Sequence, residues 1–142
     1  MKKLIIIFAL SLFLLTGCGG NTTENNIIEI DEKMFVTQTN DIYINQEEYL
    51  DQTIRYEGIF RISPSTDGQS SSFYVFRYGP GCCGNDGEVG FEVLWDGDTI
   101  DDDAWVEVTG TLQKAEDELE RLVVNATSLT VLTTRGEEIV TQ

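Results

Sequence analysis

The chain has no histidine. That removes serine–histidine and cysteine–histidine nucleophile pairs, and with them the commonest nitrogen ligand for metals. Basic residues are few, nine against 25 acidic ones, for a net charge of −16. So acidic a chain lacks the positive footprint that nucleic-acid phosphates need, and it repels anionic lipid headgroups. No internal repeat is visible. Cysteines number three, so soft chemistry is confined to a few positions. The acidity is compatible with a cationic or metal partner, although acidity alone is mostly a solubility device.

The first residues have the order of an export signal. Lys2 and Lys3 are followed by the apolar run Leu4 to Leu15, about a dozen residues long, which suits a signal segment and is short for a spanning helix. The run ends in Leu15-Thr16-Gly17-Cys18, which resembles the lipobox of bacterial lipoproteins. That resemblance implies cleavage before Cys18 and acylation of its thiol. Residues 1–17 are then a signal peptide, and 18–34 are a lipidated N-terminus and tether. The resulting expectation is a chain held by lipid at the extracytoplasmic face of the cell membrane, where thiols tend to oxidise.

The remainder reads mostly as strands. Ile42 to Ile44 reads as a short extended piece. Asn45 is placed to cap a helical turn through Gln46-Glu47-Glu48-Tyr49-Leu50, with acids in its first turn. From Thr53 to Ile62, Ile54, Tyr56, Phe60 and Ile62 alternate with Arg55, Glu57 and Arg61. Residues 63–72 have loop composition, and Phe73 to Tyr78 is an aromatic, β-branched strand. Val89, Phe91, Val93 and Trp95 share one face, as do Ala104, Val106, Val108 and Leu112. Arg121 to Leu132 reads as one long bent strand, and residues 135–142 as a frayed tail. Gly58 and Gly110 interrupt strands where a barrel must bend. The expected fold is all-β: a small five-stranded OB-like barrel over residues 35–134, with a short helical turn. A two-sheet sandwich is the alternative.

Three groups of residues invite a chemical reading. Adjacent Cys82 and Cys83 lie in the glycine-rich run Gly79-Pro80-Gly81-Cys82-Cys83-Gly84-Asn85-Asp86. They allow free thiols holding a thiophilic ion such as zinc, a strained vicinal disulfide, or passive use in a loop. Two thiolates are too few for zinc, so Asp86, Glu88 or a second molecule must complete the set. The acidic run Asp96, Asp98, Asp101, Asp102 and Asp103 lacks the EF-hand pattern and reads as a solvated turn. Tyr74, Phe76, Tyr78, Trp95 and Trp105 read either as a stacking surface or as barrel core.

One resemblance joins these pieces. Phe73-Tyr74-Val75-Phe76-Arg77-Tyr78 leads into Cys82-Cys83-Gly84-Asn85-Asp86 and then Gly90-Phe91-Glu92-Val93. That order resembles the C-terminal domain of the YcgQ-type permease-subunit family, with its Cys-Cys-x-x-Asp motif after an aromatic strand. The resemblance covers roughly residues 35–132, and it implies that Cys82, Cys83 and Asp86 are the site. It also implies a permease or other envelope protein as partner. This chain departs from the family in carrying a lipobox where membrane helices are usual. The expectation is therefore a lipid-anchored, non-enzymatic binding or accessory module. The alternatives are a thiol–disulfide redox protein and a cell-envelope interaction adaptor.

Overall fold

A computed structural model of the protein describes residues 26–64, 70–116, 119 and 121–141. Cys18 and the expected signal segment lie outside them. Among the described residues, no helix is long and apolar enough to cross a membrane.

The alternating segments become strands, and their apolar faces become the core. In chain order the elements are β1 (Ile28–Glu29), a 3-10 turn (Glu32–Met34), α1 (Phe35–Ile44) and α2 (Gln46–Tyr49). Then come β2 (Thr53–Pro64), β3 (Ser71–Gly81), β4 (Gly84–Leu94), β5 (Trp105–Lys114) and β6 (Leu122–Val131). The sheet order is β1-β2-β3-β4-β6-β5, and β2 also pairs with β5, so β2 to β6 close into a five-stranded ring. Only β4–β6 within the ring is parallel. This is the expected OB-like arrangement. β2 pairs with β3 only from Ile59 onward, and β1 lies parallel to β2 at Ile54 and Arg55. The short strand thus covers an edge that closure leaves free.

The inward residues are those the alternation selects. Ile54, Tyr56, Phe60, Val75, Phe91, Val93, Val106, Val108, Leu112 and Val124 belong to one buried cluster. Ile59, Phe76 and Trp105, of the opposite strand parity and so not selected by the alternation, form a second buried cluster, with Tyr74 and Tyr78 packed against it. Phe76 and Trp105 are each 2% exposed, so these two rings are core and not a stacking platform. The two strand glycines sit at close backbone approaches. A Cβ on Gly58 would fall 2.7 Å from the Phe76 carbonyl oxygen, and one on Gly110 would fall 2.5 Å from that of Asn125. At Gly110 the β5–β6 register shifts, which gives the bend.

The N-terminal region differs from expectation. Residues 42–44 are the end of α1 and not an extended piece. Phe35, Thr39 and Ile42 face inward at helical spacing, and the Phe35 ring meets Tyr56 edge-on. Polar Thr39 at the centre of the stripe, amid several β-branched neighbours, weakens the helical signal. Asn45 sits at the start of α2 without capping it; its amide donates instead to Asp41 Oδ1 at 2.7 Å. Part of the expected tether is folded as well, since Ile28 and Glu29 pair with β2 and Ile30 is buried.

The segment expected to fray is docked. Tyr78 N donates to the Glu138 carbonyl, Val140 N donates to the Tyr78 carbonyl, and Val140 is buried. The 3-10 turn and the C-terminal segment are both held by Arg77, which is 2% exposed. Its guanidinium donates to the carbonyls of Glu57 (2.8 Å) and Glu137 (3.0 Å) and to Glu32 Oε2 (2.9 Å). It also lies over the rings of Phe35 and Trp105. Glu32 accepts from Glu137 N, and this bond, followed by that from Arg77, holds its carboxyl below the usual 4.5. A depressed carboxylate adds stability above its unfolded pKa and loses it as pH falls through the folded value. Thermal unfolding should therefore show lower stability below about pH 4.5, and Glu32→Gln should flatten that part of the profile.

Candidate metal centre

The glycine-rich run is the tip of a long hairpin rather than a broad loop. Gly79 pairs with Gly87 and Gly81 with Gly84, so the ladder continues until only Cys82 and Cys83 remain as the turn. Glycine and proline composition reads as loop, but here glycines pair across the ladder. Both cysteines keep negative φ, whereas Gly84 has φ of 122°. A hairpin turn without positive φ at its centre is commonly followed by a residue that has it. Gly84 is the residue in that place, and glycine adopts positive φ without a Cβ penalty. Between Gly79 and Gly81 the register shifts, leaving an extra residue on the β4 side. Asp86 lies in this bulged stretch, and its carboxylate turns back toward the cysteines.

The three residues expected to form the site, Cys82, Cys83 and Asp86, are thereby brought together. Cys82 and Cys83 are free thiols, with their Sγ atoms 3.2 Å apart. Asp86 Oδ2 lies 3.9 Å from Cys82 Sγ, and Asp86 Oδ1 accepts from Cys83 N at 3.3 Å. All three ligand atoms lie within 4.8 Å of one another, and all three residues are exposed. Ligands about 2.0–2.3 Å from a tetrahedral zinc lie roughly 3.3–3.8 Å apart, so small rotations bring this set onto an ion. Gly81 makes room for it: a Cβ there would fall 2.0 Å from Asp86 Oδ1. Gly81→Ala should displace the Asp86 carboxylate and lower zinc affinity by about tenfold, the scale on which groups that orient ligands act. Competition titration against a zinc-binding dye would measure it, with the melting temperature as control.

Other candidates do not converge. Glu88, considered as a co-ligand, stands across from Tyr78 and is ion-paired with Arg61. In the acidic run, Asp102 Oδ1 accepts from Ile62 N at 2.9 Å and Asp103 pairs with Arg135. Those aspartates organise the turn before β5. Among the described residues, Cys82, Cys83 and Asp86 are the group of three with ion-sized spacing. Gly81 as the residue that clears space for Asp86 is not readable from the sequence, because the contact depends on the bulge.

Comparison with known proteins agrees with the motif. No curated protein matches the chain. A family model, the DUF1980 C-terminal domain, matches residues 16–137. The match spans the whole ring of strands and the hairpin tip, and it bears out the resemblance to the YcgQ-type C-terminal domain. From strand order, motif and family model together, the chain belongs to the DUF1980 C-terminal domain family.

Proposed function

We propose that the chain is a non-enzymatic binding module, held at the extracytoplasmic membrane face by a lipid on Cys18, that carries a thiophilic metal ion of the zinc class at its hairpin tip. The observation that carries the reading is the convergence of two free thiols and one carboxylate on one exposed turn. The turn is carried at the end of the β3–β4 hairpin of a ring of five paired strands. No histidine is present to run acid–base or nucleophile chemistry beside the thiols. A vicinal disulfide is disfavoured by its backbone: adjacent Cα atoms are about 3.8 Å apart, closer than the 4.4–6.8 Å that disulfides span. An acidic surface suits a module that attracts cations and avoids nucleic acid. A permease or another envelope protein is the partner the family resemblance suggests.

Native mass spectrometry of the reduced full chain with zinc tests the metal reading. One bound ion per chain supports it, and no mass increase sinks it. The anchor has a separate test. Cys18→Ser should abolish labelling by a radioactive fatty acid and move the chain out of the membrane fraction. Unchanged labelling would refute the lipid assignment without touching the metal site.

A further inference from the structure

We propose that the hairpin tip is an exchange position: the chain supplies three donors to the ion, and the fourth comes from the molecule that delivers or removes it. This rests on the metal-binding reading above and concerns how the ion moves.

The donor count comes first. Closed structural zinc sites use four protein ligands, whereas sites that keep a position for exchange use three. Cys82, Cys83 and Asp86 are the convergent group among the described residues, and the chain has no histidine to add. The next acid along β4, Glu88, is engaged by Arg61. An incoming donor, such as a thiol or an imidazole, therefore completes the tetrahedron.

Accessibility comes second. All three groups are exposed, at the outermost point of a hairpin. An entering ligand meets no layer of side chains. The fold does not need the ion either, because the tip is closed by the Gly79–Gly87 and Gly81–Gly84 pairs. Structural zinc is retained because folding depends on it. That constraint does not act here.

The spacing of the thiols also selects the class of ion. With metal–sulfur bonds of about 2.3 Å, sulfurs 3.2 Å apart subtend roughly 90° at the metal, and opening to about 3.8 Å gives the tetrahedral angle. Linear coordination between two sulfurs would need about 4.6 Å. Small side-chain rotations reach the first arrangement, while the second asks adjacent residues of one turn to splay apart. The cargo is thus a divalent ion content with tetrahedral geometry rather than one that prefers two ligands in line.

The test is transfer kinetics. The zinc-loaded full chain is mixed with a chromophoric chelator over a range of concentrations. The expected transfer rate rises in proportion to chelator, because the chelator occupies the fourth position before the ion leaves. A rate independent of chelator would overturn the exchange position while leaving zinc binding intact. If the reduced chain takes up no zinc at all, the underlying metal reading fails instead. Cobalt(II) gives a second readout. The loaded chain should show thiolate-to-cobalt absorption for two sulfurs, rising by half when a monothiol is added. Absorption unmoved by the thiol would count against a fourth position open to outside donors.

Discussion

Replacing both Cys82 and Cys83 by serine is expected to lower the zinc affinity of the full chain by more than about 100-fold, the upper end of what even ligand-orienting groups contribute. Serine keeps the size of the side chain and loses the soft donor. The two thiols are two of the three groups that meet at the tip, and they sit 3.2 Å apart. One carboxylate on an exposed turn would remain, and such a group holds divalent ions weakly. The melting temperature should barely move. Both cysteines are exposed, and the strand pairing that closes the hairpin runs through glycines. Asp86→Asn should have a smaller effect on affinity, because the amide keeps an oxygen donor and loses the charge. Calorimetric titration of the three proteins separates these outcomes. Equal affinities across the series would place the ion elsewhere.

Arg77→Ala should be strongly destabilising, by about 3–5 kcal/mol, because two carbonyls each lose a charged donor at roughly 1–3 kcal/mol and a cavity opens where the side chain lay. The guanidinium lies beneath the surface and bridges β2, the 3-10 turn and the C-terminal segment. Removing it leaves the carbonyls of Glu57 and Glu137 without this donor and opens space between Phe35 and Trp105. For a domain of this size the melting temperature should fall by more than about 10 °C. Arg77→Met would restore part of the packing but none of the hydrogen bonds. It should fall between alanine and wild type. A melting temperature within a few degrees of wild type for Arg77→Ala would show that the 3-10 turn and the C-terminal segment are not clamped through this side chain.

The strands were legible because their alternation is strong and their lengths suit a small barrel. Ile54, Tyr56 and Phe60, or Phe91 and Val93, announce a face by composition alone. The helix α1 was not legible, because its buried stripe has Thr39 at its centre. Nor was the docked C-terminal segment, where Val140 is buried but its neighbour Ile139 is exposed, and Arg77 makes the bond to Glu137 from 60 positions away. At the site, the identity of Cys82, Cys83 and Asp86 came from the motif. Their convergence depends on two features of the three-dimensional hairpin: the bulge that turns Asp86 back, and the space above Gly81. Neither follows from composition, which marks the same glycines as loop.

X-ray absorption at the zinc edge of the loaded, reduced full chain tests the central claim most directly. The account predicts two sulfur neighbours at about 2.3 Å and the remaining shell of oxygen or nitrogen at about 2.0–2.1 Å. A shell of light atoms alone, or one of four sulfurs, would contradict it.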